Sequence, residues 1–418
     1  MKTNIYYALI VSALILTCGC KKSLKSDSSV ALTSGAKATF PLNPEWQTPT
    51  ATGRIIRFDI GDGNGSDCLF TYDIGTGHVS LTQVSGSGGT TIYSGTGIPI
   101  GNGVPIDVTQ DNGDCSDNYN EVGGVHVIPY DATGNGREDH LLVYIPGHGI
   151  LYLLSYLGNG LWYEDWTSST GIGGYDLAGA SHTDKIIAYD FGSGSKNALI
   201  CYRPGNKYVW VIQNQNGSLT SPNWVAAYKS GSGIGGFDMS DVRDQLIEFG
   251  EPAPKYMQLA AYRPGTGYIW LMYHNPNSTT WLAPLSSRSG WPSFSFADNQ
   301  DRIVTVPVGT VTPAEAEVSD VQMFPYRPGP SGLAASPYIY QEDGNGGNLS
   351  YQAPYPGLGS NYSLTHNPYG SPATGVGDHI LSFSPNGEGN GGLLFYSNGG
   401  GNQSQIYELG SDQYNWVY

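Results

Sequence analysis

Three arginines recur at one position of a repeated tetrapeptide, which makes them the first candidates for binding chemistry. Tyr-Arg-Pro-Gly occurs three times and places its arginine at Arg203, Arg263 and Arg327. A guanidinium group is a rigid fork of hydrogen-bond donors that fits a carboxylate or the hydroxyl groups of a ligand. The sequence therefore leaves two roles open. One is structural, as an ion pair between repeats or a hydrogen bond to loop carbonyl oxygens, and the other is a group of polar side chains that binds a ligand at each repeat.

Aromatic and acidic residues accompany these arginines within the repeats. A sugar presents hydroxyl groups at its edge and an apolar face that stacks on an aromatic ring, so Tyr or Trp beside Arg is a candidate for carbohydrate binding. The candidate ligand-binding residues besides the arginines are Tyr202, Tyr262, Trp210, Trp270, Tyr175, Asp176 and Asp238. A tryptophan that recurs in a strand is equally typical of a core. Asp176 and Asp238 each follow a Gly-Ile-Gly-Gly segment and could instead close turns.

One loop carries oxygen donors at the spacing of a calcium-binding loop. The candidate metal-binding residues of this loop are Asp131, Thr133, Asn135, Arg137 and Asp139. Calcium prefers several oxygen ligands around one centre, and Gly136 at the sixth position would let the chain turn around the ion. The alternative is an ordinary Asp/Gly turn, in which the carboxylates accept hydrogen bonds from nearby backbone amides.

The sequence leaves two possibilities open for Cys68 and Cys115. Cys115 lies in an insert that could fold back over the repeat containing Cys68, so an oxidising compartment would permit a disulfide between Cys68 and Cys115. The alternative is that both are small buried fillers, as we expect for Cys201 within its apolar run.

The segments around these residues repeat along nearly the whole chain. Each repeat closes its second apolar run with a tyrosine, and these marker tyrosines are 58 to 72 residues apart: Tyr72, Tyr144, Tyr202, Tyr262, Tyr326 and Tyr396. The apolar runs are short, rich in Val, Ile, Tyr and Trp, and bounded by Gly, Asn and Pro, which indicates strands. We predict an all-β fold, a single β-propeller of six four-stranded blades, or seven if one repeat is unrecognised. Its last strand is expected at 416–418.

The amino terminus predicts export and a lipid anchor. An apolar stretch from Ile5 to Leu16, too short to span a bilayer, is followed by Thr17-Cys18-Gly19-Cys20. A small residue directly before a cysteine resembles a bacterial lipoprotein signal, and Lys21-Lys22 resembles the start of many lipoproteins of Bacteroidota-like bacteria. The resemblance implies lipidation of Cys20 in the outer membrane, and it leaves open whether the protein faces the cell surface or the periplasm. We expect residues 1–19 to be the signal peptide, 20–38 a flexible tether and 39–418 the propeller. A secretory signal without lipid is the alternative.

The repeats also resemble a known family. An Asp-rich loop that feeds an apolar strand is similar to the FG-GAP or VCBS repeats of integrin-α-like propellers, and the Gly-Ile-Gly-Gly and Tyr-Arg-Pro-Gly segments are similar to repeats of secreted bacterial and fungal propeller modules. The resemblance covers about residues 54–418 and implies the fold more strongly than a function. Because such extracellular propellers often bind sugars, it also implies a lectin-like protein.

Charge and motifs narrow the classes of function. The formal net charge is −16 without a Lys/Arg stripe, so nucleic acid is a poor partner, and the lipid anchor is the expected contact with a membrane. No motif singles out a catalytic carboxylate pair, a serine nucleophile or a zinc site, so we expect no catalytic residue and, apart from calcium, no cofactor. His140 and His379 each follow an aspartate, which predicts matching positions in the repeat.

The leading hypothesis is a monomeric surface lipoprotein that binds glycan for capture or adhesion. The alternatives are a scaffold that binds a surface protein, and a hydrolase or lyase that acts on glycans.

Overall fold

The computed structural model describes most of the repeat region. It covers residues 53–61, 67–85, 88–101, 103–109, 125–178, 183–191, 197–248, 259–274, 280–290, 294–308 and 320–327, and five strands between 340 and 408. The predicted signal peptide with Cys20, the tether, Cys115 and the strand expected at 416–418 lie outside these residues. Within the covered ranges, no helix is long and apolar enough to cross a membrane.

Every strand that the structure describes belongs to an antiparallel sheet of consecutive strands. The first four sheets have four strands each: β1 (Gly53–Asp59), β2 (Asp67–Asp73), β3 (His78–Ser85) and β4 (Gly88–Thr96); β5 (His126–Tyr130), β6 (His140–Ile145), β7 (Ile150–Gly158) and β8 (Leu161–Ser168); β9 (Lys185–Tyr189), β10 (Ala198–Arg203), β11 (Tyr208–Asn214) and β12 (Trp224–Ser230); and β13 (Gln245–Glu248), β14 (Leu259–Arg263), β15 (Tyr268–His274) and β16 (Trp281–Ser287). A further four-stranded sheet contains β17 (Arg302–Val308), β18 (Asp320–Tyr326), β19 (Tyr340–Asp343) and β20 (Asn348–Tyr351), and a three-stranded sheet contains β21 (Asp378–Ser382), β22 (Gly392–Ser397) and β23 (Gln405–Glu408).

The sheets are arranged as the blades of a β-propeller. The first strands of consecutive sheets contact one another, from β1 to β5, β5 to β9, β9 to β13 and β13 to β17. Sheets that meet at their first strands and extend outward from a common axis are propeller blades. β1 to β16 therefore form four four-stranded blades, which confirms the predicted all-β class and propeller arrangement.

The marker tyrosines lie in the second strand of each sheet and tie one blade to the next. In three consecutive blades, a backbone N–H of the following first strand donates to the tyrosine hydroxyl: Val127 to Tyr72 over 3.3 Å, Ile186 to Tyr144 over 3.1 Å, and Leu246 to Tyr202 over 3.3 Å. All three tyrosines are buried. The repeated tyrosine thus gives a hydrogen-bond acceptor to a backbone N–H that would otherwise be buried without one.

The two Gly-Ile-Gly-Gly segments connect the outer strand of one blade to the first strand of the next. Gly233 has φ of +90°, and a Cβ atom there would lie 1.9 Å from the carbonyl oxygen of Phe237. Gly171 is equivalent, with φ of +95° and a corresponding distance of 2.0 Å to the carbonyl oxygen of Tyr175. Only glycine fits this tight connection.

Candidate functional site

The three repeated arginines lie at one end of their blades, each beside an aspartate. Arg203 ends β10, and the antiparallel pairing of β10 with β9 brings it next to Asp184, which directly precedes β9. The other two pairs, Arg263 with Asp244 and Arg327 with Asp301, occupy the same positions in the next two sheets. We call these three pairs the Arg–Asp clamps. Each clamp joins two strands of one sheet, so the ion pair lies within a blade and not between repeats.

The clamps share one bidentate geometry. In each, Nε and Nη2 of the arginine donate to the two carboxylate oxygens of the aspartate, over 2.7 and 3.0 Å for Arg203, 2.6 and 2.9 Å for Arg263, and 2.5 and 2.9 Å for Arg327. Asp184, Asp244 and Asp301 are at most 1% exposed. Charge-assisted bidentate bonds of this kind are among the strongest hydrogen bonds in proteins.

Burial and pairing act in opposite directions on the clamp groups. Burial raises the pKa of Asp184, Asp244 and Asp301, and the hydrogen bonds from their arginines oppose this effect. Burial alone would lower the pKa of Arg203, but hydrogen bonds and charge from Asp184 outweigh it and raise that pKa. The charge of each arginine is therefore committed to holding a buried carboxylate.

The connection entering each blade packs against its clamp. The Nη2 of Arg203 also donates to the backbone oxygen of Asp176, and that of Arg263 to the side chain of Asp238, both over 2.6 Å. Tyr175 is buried, donates to Asp184 over 2.7 Å, and has its ring centroid 5.7 Å from Cζ of Arg203. Tyr175, Asp176 and Asp238 therefore hold the residues of the clamps in place through hydrogen bonds.

Both aspartates also close turns. Asp176 Oδ1 accepts the N–H of Ala178 over 2.7 Å, and Asp238 Oδ1 accepts that of Ser240 over 3.2 Å. Carboxylates that accept a hydrogen bond from the residue two positions later stabilise tight turns.

The remaining predicted aromatic residues lie in the blades themselves. Tyr202 and Tyr262 are buried. Trp210 and Trp270 are half-buried at equivalent positions of β11 and β15, with ring centroids 5.5 Å from Tyr175 and 5.3 Å from Phe237 respectively. Lys229 Nζ covers the Trp210 ring at 4.1 Å from its centroid.

Two tyrosines that sequence analysis did not select lie against the clamps on the solvent side. Tyr208 opens β11, is 46% exposed, and has its centroid 5.9 Å from Cζ of Arg203. Tyr268 opens β15, is partly exposed, and lies 5.4 Å from Cζ of Arg263. The signal for both was their shared position, five residues after the repeated arginine. We call Arg203 with Tyr208 and Arg263 with Tyr268 the Arg–Tyr sites.

The Arg–Tyr sites retain hydrogen-bonding capacity. The guanidinium Nε and Nη2 atoms of Arg203 and Arg263 are used by the clamps. For Nη1 of either arginine, the described part of the chain supplies no hydrogen-bond acceptor. The first site thus offers the face of an exposed tyrosine ring next to N–H donors held in a fixed position. The second site is more enclosed, because Arg263 is buried and Cζ of the exposed Arg288 also lies 5.6 Å from the Tyr268 ring centroid.

The predicted calcium loop lies between β5 and β6, at the opposite end of its blade. Asp131 is buried, and its two carboxylate oxygens accept the backbone N–H groups of Asn135 and Gly136 over 3.0 and 2.8 Å. The Asn135 side chain donates to Asp139 over 3.2 Å and accepts the N–H of Arg137 over 2.8 Å. These bonds bring four of the five predicted metal-binding residues into one closed turn.

The fifth predicted residue of the loop, Thr133, is exposed. Asp139 is also paired with His140, whose Nδ1 lies 2.5 Å from Oδ1. Among the residues covered by the structure, no group of three or more His, Cys, Asp or Glu side chains could hold a metal ion. Calcium at this loop stays a prediction.

The cysteines that the structure covers are buried. Cys68 lies in the core between the first two blades, and Cys201 lies between the second and third. Burial raises the pKa of the Cys201 thiol well above its ordinary value. Because Cys115 is outside the described residues, its pairing with Cys68 stays a prediction.

Comparisons with known proteins give distant structural likenesses. No family model matches the chain, and no curated protein matches it. Among solved structures, the chain is similar to an Agrocybe aegerita lectin that recognises non-reducing terminal N-acetylglucosamine, at 12% identity and a TM-score of 0.45 over 86% of this chain and 81% of that chain. It is similar to the Photorhabdus luminescens Tc holotoxin pore at 14% identity and a TM-score of 0.42, over 83% of this chain and 13% of that chain. A predicted 6-phosphogluconolactonase from Bacteroides uniformis is similar at 10% identity and a TM-score of 0.39, over 85% of this chain and 91% of that chain. Likenesses this distant carry no assignment of function.

Proposed function

We propose that the protein binds carbohydrate at the Arg–Tyr sites. The observation that carries this proposal is the recurrence, in two adjacent blades, of a partly exposed tyrosine beside a guanidinium group with uncommitted donors. The apolar face of a sugar stacks on the ring of Tyr208 or Tyr268, while Nη1 of the neighbouring arginine donates to a hydroxyl group. Because the clamps fix both arginines before a ligand arrives, binding requires little ordering of the protein.

We propose further that the propeller is a surface lipoprotein anchored in the outer membrane through Cys20. The support is the sequence Thr17-Cys18-Gly19-Cys20 after a short apolar stretch. A tether followed by a glycan-binding propeller suits capture or adhesion at the cell surface. Growth with labelled palmitate should label the protein, and replacing Cys20 with alanine should abolish the label.

We also propose that the sheets form a closed ring of six blades and that the protein belongs with the FG-GAP or VCBS propellers. The support is that β17 contacts β21 and β21 contacts β1, which continues the series of first strands back to its beginning. A ring of this kind has no long exposed sheet edge, which suits a protein outside the cell.

A glycan-array screen of the full chain tests carbohydrate binding. We expect binding to at least one glycan class, and Tyr208→Ala and Tyr268→Ala each to weaken it about tenfold, which corresponds to about 1.4 kcal/mol. Tyr163→Ala is the matched control, because Tyr163 is also exposed but lies on the outer strand β8, away from the clamps. Glycan binding that survives both tyrosine variants would move the site elsewhere.

A protein-interaction scaffold is the second candidate, and one exposed patch favours it. Leu157, Leu161 and Tyr163 lie exposed along the β7–β8 hairpin of the second blade. Clustered exposed apolar side chains are typical of protein-binding surfaces. An array without any bound glycan would make this candidate the better account.

A further inference from the structure

The first strands of the sheets carry a polar and mostly basic residue at one shared register position. Each of these residues pairs across the sheet with the marker tyrosine of the second strand, and together we call them the axial ring. They are Arg54, His126, Lys185, Gln245, Arg302 and His379, opposite Tyr72, Tyr144, Tyr202, Tyr262, Tyr326 and Tyr396 respectively. Two positions later every first strand has an aliphatic residue: Ile56, Ile128, Ile187, Ile247, Val304 and Leu381.

The geometry of the blades brings the ring positions together around the axis. Consecutive first strands contact one another, so equivalent positions recur side by side. One pair is in direct contact, since Lys185 Nζ donates to Gln245 Oε1 of the next blade over 2.9 Å. The described side chains of the ring have intermediate burial, so each is partly accessible to solvent.

The ring concentrates positive charge in an acidic protein. The chain has a net charge of −16, yet none of the six ring positions holds a carboxylate. The residues directly before Lys185, Gln245 and Arg302 are Asp184, Asp244 and Asp301, but each is held in a clamp by its own arginine. The clamps therefore keep these three aspartates from neutralising the ring. A fourth aspartate, Asp378, directly precedes His379, and Ser397 stands at the position of the clamp arginine in that sheet.

Two ring arginines keep their charge available. Among the described residues, Arg54 donates to the backbone oxygen of Gly53, and Arg302 donates to the backbone oxygens of Asn299 and Asp301. Carbonyl oxygens orient a guanidinium group without cancelling its charge. An anion that reached both arginines would meet donors held in place by the backbone.

We propose that the axial ring binds the carboxylate of an acidic saccharide. Guanidinium groups pair bidentately with carboxylates, which favours Arg54 and Arg302 as the anchors. The amide nitrogen of Gln245 adds donors for neighbouring hydroxyl groups, and the aliphatic residues two positions along each strand lower the local dielectric constant and strengthen the charge interaction. This inference rests on the proposed carbohydrate binding and specifies its ligand class, because the ring lies at the same end of the propeller as the Arg–Tyr sites.

Titration calorimetry with the full chain tests the ring, using tetragalacturonic acid, its methyl ester and a neutral tetrasaccharide of similar size. We expect the acid to bind at least about tenfold more tightly than the ester, and added salt to reduce this preference. Arg54→Gln and Arg302→Gln should each weaken the affinity for the acid about tenfold and leave the affinity for the neutral tetrasaccharide unchanged. Lys229→Gln, which removes one exposed positive charge on the outer strand β12, is the matched control and should change neither.

Several results would overturn the assignment, and they separate it from the proposed function. Equal affinity for the acid and its ester, with neutral sugars still bound, would remove the ring site and keep carbohydrate binding. Binding of galacturonate monomer or acetate as tightly as the tetrasaccharide would replace the saccharide site with a general anion site. Full affinity for the acid in both folded arginine variants would also refute the proposal, and far-ultraviolet circular dichroism establishes that the variants are folded.

Discussion

Replacing Arg263 with methionine should destabilise the protein strongly, because the clamp holds a buried charge. Arg263 bonds both oxygens of Asp244, which is fully buried, and also bonds Asp238. Methionine keeps much of the aliphatic stem but leaves the Asp244 carboxylate without its cation. Removing one partner of a buried ion pair costs about 3–5 kcal/mol. The backbone N–H of Asp241, which donates to Asp244 over 2.9 Å, offsets only about 1 kcal/mol of this loss.

A double variant separates lost charge from lost packing. Asp244→Asn with Arg263→Met removes both charges, so we expect it to be about 2 kcal/mol more stable than the sum of the single changes predicts. Arg288→Met is the matched control, because Arg288 is exposed and its guanidinium group lies over the ring of Tyr268, 5.6 Å from the centroid, without a carboxylate partner among the described residues. The control should cost about 1 kcal/mol or less.

The loss of unfolding free energy in the Arg263→Met variant should also be smaller at acidic pH. Burial already raises the pKa of Asp244 with its arginine present, and removing the arginine raises it further. A carboxyl with a raised pKa in the folded state contributes stability that is present below its unfolded pKa and is lost as pH rises through the folded pKa. The loss relative to wild type should therefore be smaller near pH 4 than at pH 7.

Urea unfolding followed by tryptophan fluorescence measures these differences through the transition midpoints. A loss of less than about 1 kcal/mol for Arg263→Met at pH 7, or a loss equal to that of Arg288→Met, would refute the clamp as a stabilising element. A deficit that does not change between pH 7 and pH 4 would refute its electrostatic origin.

Four further measurements test other parts of the structure. Tyr202→Phe should cost about 1–3 kcal/mol in urea unfolding, since it leaves a buried backbone N–H without an acceptor, and a loss near zero would contradict the tie between blades. Gly233→Ala should prevent stable folding, whereas Gly236→Ala, with nothing within 4 Å of its Cβ, should cost only about 1–2 kcal/mol for its positive φ; similar melting temperatures would contradict this. Cys201 should resist alkylation until the protein unfolds, because it is buried with a raised thiol pKa, and peptide mapping of alkylated native protein checks this. If calcium binds the Asp131 loop, millimolar calcium should raise the melting temperature of chelator-treated protein and Asp131→Asn should abolish the rise; an unchanged melting temperature would leave an ordinary turn.

The propeller arrangement was predictable because its signals are local. Short apolar runs between turn residues specify strands without reference to distant residues, and the repeated tyrosine marked the same strand in every sheet. The clamp partner of Arg203 was not assigned, because Asp184 lies 19 residues away and meets the arginine only through strand pairing. The sequence contained both residues but not the register that joins them.

Two further connections between blades have the geometry of the Gly-Ile-Gly-Gly segments but could not be recognised from the sequence, because insertions and substitutions change their residues. Gly97 and Gly290 begin connections that bond to the preceding hairpin as Gly171 and Gly233 do. In the first of these, Ile98 bridges Ile106 across a longer loop than the one between Ile172 and Tyr175. The expected match between the positions of His140 and His379 is wrong. His140 begins the second strand of its sheet, whereas His379 lies in the first strand of its sheet, so the shared Asp-His dipeptide does not mark one position of the repeat.

The pattern of variation within the chain separates the structural position from the binding position. The clamp repeats the same two residue types in three blades, as expected where a buried carboxylate requires one particular partner. The adjacent ring position holds Arg, His, Lys, Gln, Arg and His, so it is always polar but not fixed. Packing between blades would favour an apolar residue or one repeated type, whereas a ligand off the axis of the ring contacts each blade differently. The clamp can thus be the constant frame of the propeller while the ring supplies the specificity for one ligand.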